Sequence, residues 1–548
     1  MSINDSESQV IIDRYEWRWV ILASAILILL SSLPYIAGFL NQNGNGVFVG
    51  TVYDRPDYAV HMSAMRAGWS GEWQYRMRFT SEPHPGVYTK LAYIFLGHLA
   101  RTLRMSLTGM YHIARILFGF ASCLAIYATS AWCFQDVFWR RFAFCLATLA
   151  SGLGWLQLIF GWVPSPNISP IDFWLSDAYY FFGLMAFPHF SAITALTLGI
   201  LLCGLAYSKR PRWQYIAVMS GCVLVLQSFQ PYAPVFADMA IIGIFLSKWH
   251  QEGRIQLAFV TGLAIFALVQ IPILAYDAWV FASDPVWEGF IAQNATLSPP
   301  LVYLLWGFGI LLPLAFIGLI GILRRSFERQ STRWTGHFIP LWAFVLLVIG
   351  EGVLAYMPTM LQRRFLHAMT IPLAILATEG LRVTLFPWID RVTGGKINHR
   401  RGAFGLLLIS FGSISSLLLS FGGILQVMMF PDNYYTPGRV IQAIDWLGSN
   451  APAKSVVLAA PETSFTLVER TGLTAYLGHP IETLNYEQKV KAAREFYCGK
   501  LAIESMKIAH VRLVVSGPYE SQFMGCNPGL PQLDLVYSKD NIEIFRIP

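Results

Sequence analysis

Long apolar runs alternate with short polar breaks from residue 20 to residue 429, and the breaks carry most of the charge. An α-helix needs roughly 20 apolar residues to cross a hydrocarbon core of about 30 Å. Runs of that kind fall near 20–39, 112–134, 142–161, 187–207, 214–230, 231–247, 256–275, 300–322, 339–357, 366–386 and 403–429, which predicts about eleven crossings. One more run, Val87–Leu103, is apolar enough to span but carries Lys90, His98 and Arg101, and crossing alone it would invert every later loop. It reads as a partial or re-entrant segment. The fold class is therefore an all-α polytopic membrane domain of about 11 to 13 transmembrane helices, followed by a small C-terminal α/β domain.

The change of pattern comes at Pro431, after which Lys, Glu, Asp and Arg are frequent and apolar runs are short. Gly438–Leu447, Glu487–Phe496 and Leu501–Ala509 have helical spacing, while Ser455–Ala459 and Arg512–Val515 are β-rich. Leu533–Tyr537 and Ile542–Ile547 read as a hairpin around Lys539-Asp540-Asn541. Residues 1–430 thus form the expected membrane domain, with an outer loop at 41–86, and residues 431–548 the expected soluble one.

Charge then sets orientation, because cytoplasmic loops carry the excess of Lys and Arg. The basic clusters are Arg140-Arg141, Lys209-Arg210 with Arg212, Lys248 with Arg254, Arg324-Arg325 with Arg329 and Arg333, and the Arg391–Arg401 run. Placing them inside puts the N-terminus in the cytoplasm and residues 41–86, 162–186, 276–299 and the tail outside. Trp69, Trp73, Tyr75, Trp162, Trp174, Trp279 and Trp287 then fall in outer loops, where aromatic rings rest at the headgroup level. The first outer loop is expected to lie on the membrane as an amphipathic helix. No small-residue cleavage pattern follows Val20–Phe39, which reads as a retained first helix.

Composition agrees, with 55% hydrophobic residues, 13% charged and a mean hydropathy of +0.49. The net charge of +7 is spread over loops with no dense basic tract, so nucleic acid is excluded as a partner. Of the seven cysteines, Cys498 and Cys526 are the two outside apolar segments, and in an oxidising compartment they could pair or remain two free thiols.

The candidate chemistry sits in the first outer loop. Asp54 and Asp57 flank Pro56 at capping-box spacing, so a helix starting here would use Asp54 as N-cap with Asp57 in its third position. A first-turn carboxylate is favoured as the anion by the helix dipole, and can accept a proton. His61 lies one turn further on the same face. Glu82-Pro83-His84-Pro85 is stiffened by its prolines, which suits a polar pair in a binding site and equally an interfacial turn. Arg363-Arg364 lie at an outer span end against the positive-inside trend, where paired N–H donors can hold a phosphate. Asp172, Asp177 and a Phe187-Pro188-His189-Phe190 turn add polar groups on that side, with His189 a weaker candidate. Asp57, His61, Glu82 and His84 match no metal motif. No cofactor is expected, and a divalent metal is an option that the spacing does not indicate.

A first helix, an acidic juxtamembrane loop, about eleven to thirteen spans and a small soluble C-terminal domain together resemble the GT-C superfamily of membrane glycosyltransferases. The strings Asp57-Tyr58-Ala59-Val60-His61, residues 75–84 and Gln362-Arg363-Arg364-Phe365 look like an uncharacterised bacterial branch. The resemblance implies a polyprenyl-phosphate-linked sugar donor and a lipid, glycan or protein acceptor. It implies Asp57, or failing that Asp54, as catalytic base in loop 41–86, with Arg363 and Arg364 on the carrier phosphate; His61, Glu82, His84 and His189 are substrate-binding candidates from their own placement in the sequence. Two family patterns are missing: an Asp-Glu pair at Asp57, which Tyr58 follows, and a Trp-Trp-Asp motif. Protein mannosylation and N-glycosylation are accordingly disfavoured.

The expected function is inverting transfer of a hexosyl or pentosyl unit at the outer face of a bacterial cytoplasmic membrane, in glycan biosynthesis for the cell envelope. No Asp-x-Asp occurs, which fits metal-free chemistry. A transporter or flippase for a lipid-linked glycan competes, and would place ionisable residues at span centres, where Asp238, Glu351 and Glu379 fall. An outer-face binding or assembly protein is the third reading.

Overall fold

The computed structural model describes residues 11–42, 46–161, 170–327, 338–394, 400–526, 529–530 and 532–548. Trp162, Arg329, Arg333 and residues 395–399 of the basic run lie outside the described residues. The chain forms two compact units, each assembled from three stretches: residues up to 33, 115–273 and 296–422 in the first, residues 34–114, 274–295 and 423–548 in the second. Grouping by contact therefore joins residues 41–86, the expected outer loop, to the tail in one unit.

Every expected span has a helical counterpart. Arg14–Leu40, Leu107–Cys133, Pro188–Lys209 and Leu257–Ser283 are long and apolar enough to cross a membrane, giving four such helices, or up to seven spans if each of three bent pairs counts as one. The pairs are Val137–Leu149 with Gly154–Phe160, Leu301–Phe308 with Leu311–Ser326, and Arg401–Gly412 with Ile414–Met429, bent by 50°, 89° and 48°. The sharpest break falls at Gly309, whose φ of 48° and ψ of −126° suit a residue without Cβ. Trp213–Phe229, Pro234–Glu252 and Phe338–Leu354 are shorter or more polar, and Thr370–Gly380 runs through a π turn at Leu381–Leu385 into Phe386–Val392.

In the first unit, buried charge is largely partnered. Arg140 meets Glu16 at 3.0 Å, and Glu16 also accepts from Tyr127 at 2.8 Å. Glu379 lies between Arg325 and Arg382, and Asp238 accepts from Gln270 at 2.9 Å. Two of the three mid-span acids are thus engaged in structural pairs. The segment expected as a turn at Phe187–Phe190 is instead the start of the Pro188–Lys209 helix, because proline is favoured where no backbone donor is needed.

The second unit is built on a five-stranded mixed sheet. Its small companion pairs β1 (Gly46–Phe48) antiparallel with β2 (Tyr435–Pro437). The main sheet contains β3 (Val456–Leu458), β4 (Thr474–Ala475), β5 (Val511–Ser516), β6 (Asp534–Lys539) and β7 (Ile542–Arg546), in the order β4-β3-β5-β7-β6. β3 is parallel to β4 and β5, whereas β7 is antiparallel to β5 and β6. All three β3 residues are buried, as expected of a strand covered on both faces. Asp540 and Asn541 both take positive φ in the β6–β7 hairpin, the conformation a tight two-residue hairpin turn requires.

One face of this sheet packs with Ala59, Val60 and Phe79 of the first loop and with helices Gly438–Asn450 and Pro461–Thr471. The other packs with Tyr486–Tyr497, beside the Cys498–Cys526 disulfide. The Arg55–Trp69 helix has most of its residues buried in protein, so it is an internal element of the unit. It crosses Leu91–Thr102 so closely that a Cβ on Gly68 would lie 1.9 Å from the Ile94 carbonyl oxygen. Leu91–Thr102 itself has 12 residues, about 18 Å of rise, too short to span.

Candidate active site

Asp57 is set by the helix it helps to start. Asp54 is the N-cap, with its Oδ1 accepting the Asp57 backbone N–H at 3.2 Å, and Pro56 occupies a first-turn position that needs no donor. This fixes the Asp57 side chain at the positive end of the helix dipole. Its Oδ1 lies 2.9 Å from Nε2 of His479, and the Asp57 side chain is 40% exposed whereas that of His479 is 6% exposed.

The direction of that hydrogen bond follows from the other ring nitrogen. His479 Nδ1 accepts the backbone N–H groups of Ile481 and Glu482 at 3.1 and 3.0 Å. A nitrogen that accepts carries no proton, so Nε2 is the N–H and donates to Asp57. The turn bearing His479 is anchored within the same unit. Thr483 Oγ1 donates to the Phe79 carbonyl at 2.7 Å, and Gln293 Nε2 donates to the carbonyls of Ile481 and Thr483.

Glu482 adds a second acid beside the pair. It is buried, accepts the Tyr75 hydroxyl at 2.9 Å on both oxygens, and lies 3.9 Å from Lys90 Nζ. Burial raises its pKa above the ordinary range; Lys90, His479 and the Tyr75 hydrogen bond oppose that, and the Asp57 charge reinforces it. Two carboxyl groups in different environments thus flank one imidazole.

The remaining first-loop candidates are engaged elsewhere in this unit. Glu82 meets the buried Lys489 at 2.7 Å and accepts from Thr80 Oγ1. Burial acts to raise its pKa, but the Lys489 charge and the hydrogen bonds from Lys489 and Thr80 outweigh it, and the net shift is downward. His84 Nε2 accepts from the Met77 backbone at 3.0 Å and its Nδ1–H donates to the Glu82 carbonyl at 2.8 Å. Burial lowers its pKa. His61 is buried and stacks on Tyr93 at 4.2 Å. Among the described residues no three His, Cys, Asp or Glu side chains cluster as a metal ligand set.

Arg363, Arg364 and His189 belong to the first unit. Arg363 and Arg364 lie in the single turn Gln362–Phe365, with the Arg363 guanidinium 5.5 Å from the centre of the Trp174 ring. The Arg363 Nε is buried and makes no hydrogen bond among the described residues. His189 is buried in the first turn of its helix and stacks on Phe187 at 5.4 Å. Sequence reading did not single out His479, Glu482, Lys489 or Tyr75 as chemistry. The only local signal was a His-Pro pair at 479–480 that repeats the one at 84–85.

No family model matches the chain, and no curated protein matches its sequence. Its fold is GT-C-like, as solved structures show. It resembles the Archaeoglobus fulgidus oligosaccharyltransferase in the apo form with a TM-score of 0.53 at 12% identity, covering 92% of this chain and 70% of that one. The same enzyme tethered with an acceptor peptide containing the NVT sequon gives 0.54 at 14% identity, covering 92% and 69%. The arabinofuranosyltransferase AftD from Mycobacteria gives 0.51 at 14% identity, covering 97% of this chain and 40% of that one. At these identities the likeness establishes architecture.

Proposed function

We propose that the chain is a membrane glycosyltransferase that moves a hexosyl or pentosyl unit from a polyprenyl-phosphate-linked donor to a lipid, glycan or protein acceptor, with inversion, at the outer face of a bacterial cytoplasmic membrane. The observation that carries the reading is a half-exposed carboxylate, Asp57, held in a helical first turn by the Nε2–H of a buried imidazole. A fold shared with two glycosyltransferases supports it. The Cys498–Cys526 disulfide supports an oxidising compartment for the tail.

In this mechanism Asp57 accepts the proton of the acceptor hydroxyl as the oxygen attacks the anomeric carbon. The bond from that carbon to the carrier phosphate breaks, and the phosphate leaves with the electron pair. His479 orients the Asp57 carboxylate through one oxygen. Arg363 and Arg364, which belong to the first unit, are the proposed ligands of the carrier phosphate, for which a fork of N–H donors is well shaped. His61, Glu82, His84 and Asp54 shape the loop around the base.

Donor titration on purified variants tests the phosphate role. Arg364→Lys keeps the charge and loses the fork, and should weaken donor binding. Arg363→Ala and Arg364→Ala should each cost about 2 kcal/mol or more, as for truncating one side of a desolvated charge pair. Unchanged donor affinity in both alanine variants removes the two arginines from the mechanism. Transfer that survives Asp57→Asn and Asp54→Asn alike removes the enzyme reading of this loop.

A further inference from the structure

The Arg55–Trp69 helix has a second polar face. Arg55, Met62, Arg66 and Trp69 are spaced by seven, four and three residues, a stripe opposite the one that carries Asp57 and His61. That stripe lines a cavity of about 240 Å³, whose walls also include Thr108, Thr466, Glu469 and Arg470. This is the liquid volume of roughly eight water molecules.

Three guanidinium groups reach this cavity and are unequally served. Arg55 engages both carboxylate oxygens of Glu469, at 2.5 and 3.1 Å, so that acid is already neutralised. Arg470 is paired with Asp445 through two 2.8 Å bonds. Arg66 has no carboxylate within ion-pair distance among the described residues, and its Nε donates to the Glu469 backbone carbonyl at 2.9 Å. Burial and the neighbouring charge of Arg470 both disfavour its cationic form, against the pull of Glu469 and Asp445. A half-buried cation beside another cation is costly unless an anion compensates it.

We propose that this cavity is a binding site for a phosphate-class oxyanion, held by the terminal N–H groups of Arg66 beside the positive charge of Arg470, with the hydroxyls of Thr108 and Thr466 in the same wall. The Met62 and Trp69 side chains give the cavity an apolar side that fits the carbon body of a phosphate ester. The helix is about 10 Å across, so an anion here sits a helix width away from the Asp57 face, at a site distinct from the candidate base. A soluble sugar phosphate and an anionic lipid headgroup share the chemistry that this cavity recognises.

The test uses the full chain in nanodiscs of phosphatidylcholine alone or with phosphatidylglycerol, titrated with inorganic phosphate and glycerol 3-phosphate by calorimetry and thermal unfolding. Wild type should bind one of these probes saturably. Binding of the soluble probes in both nanodisc types identifies a soluble phosphate ester, whereas stabilisation confined to phosphatidylglycerol discs identifies a lipid headgroup. Arg66→Gln and Arg470→Gln should each weaken the effect about tenfold or more, the loss expected for a charge-assisted hydrogen bond. Arg494→Gln, on the Tyr486–Tyr497 helix, should leave it unchanged. Should Arg66→Gln fail to fold, Arg66→Lys keeps the charge without the fork and should still weaken binding. Absence of binding by wild type to every probe, or binding unaltered in the Arg66 and Arg470 variants, overturns the assignment. Neither outcome depends on Asp57 being a base, so the two readings fail separately.

Discussion

Two carboxylates of the first loop, Asp57 and Glu82, each meet a nitrogen base from the tail, yet the two pairs differ in kind. Glu82 faces Lys489, an ammonium with 8% of its side chain exposed, which also donates to Thr80 and Ser81 at 3.3 Å. Asp57 faces the N–H of an imidazole whose other nitrogen is committed to the backbone. A carboxylate clasped by a cation and a hydroxyl is stabilised as an anion and poorly placed to take a proton. A carboxylate that accepts a neutral imidazole N–H gains orientation from a partner that is not a cation. On the proposed function, the same loop holds one acid for structure and one for chemistry.

The most severe way to break this contrast is Asp57→Asn. Turnover should fall by about 10²- to 10⁴-fold, the usual worth of a general base, while the unfolding midpoint moves little, because the N-cap of this helix is Asp54 and is untouched. Measuring transfer and thermal unfolding on one preparation separates the two effects, and wild-type turnover would end Asp57's candidacy. The mirror experiment is Lys489→Met. It should cost stability of about 2 kcal/mol, less than for a fully buried pair because 34% of the Glu82 side chain is exposed. Turnover per folded molecule should stay near wild type, and a large kinetic loss without destabilisation would reverse the roles assigned to the two acids.

His479→Ala removes the donor to Asp57 and the acceptor of two backbone N–H groups. A turnover loss of about tenfold is expected, with a shifted pH–rate profile. His479→Gln, which retains a side-chain N–H, should recover part of it; equal loss in both variants would mean the ring is only a scaffold.

The smallest effect is the pH dependence of the Glu82 clasp. Its folded pKa lies below the ordinary value of 4.5, so its contribution to stability is present above 4.5 and is lost as pH falls through the lower folded value. Lys489 is shifted down by burial despite the pull of Glu82, so the stabilising partner of the pair is the carboxylate. The stability gap between wild type and Glu82→Gln should accordingly be constant near neutrality and close below pH 4.5. A gap that persists into strong acid would mean the clasp is steric.

Much of the architecture was readable along the chain because it is local. Hydrophobic runs, the Asp54 cap ahead of Asp57, the β6–β7 hairpin and helix Gly438–Asn450 all depend on residues close in sequence. Helices Pro461–Thr471 and Pro518–Met524 and the two-residue β4 went unread, the first two opening on prolines and the last too short for any periodicity. The chemistry was only half readable. The capped helix start that carries Asp57 was legible, but the contacts of His479, Glu482 and Lys489, ordinary tail residues in sequence, exist only where the fold brings them to the first loop. Glu82 and His84 are engaged within the loop and with the tail, Glu82 by Lys489 and His84 by backbone at both ring nitrogens, contacts that the prolines at 83 and 85 did not foretell.

The Asp57–His479 contact joins residues 422 positions apart. A ribosome adding about 5–20 residues per second needs roughly 20–80 s between the two. Through that interval the first loop is made and delivered with its carboxylate unsteadied, while the membrane segments are still emerging. The contact can form only once residue 479 has been made, so on the proposed function a chain interrupted before that point lacks the group that orients its base.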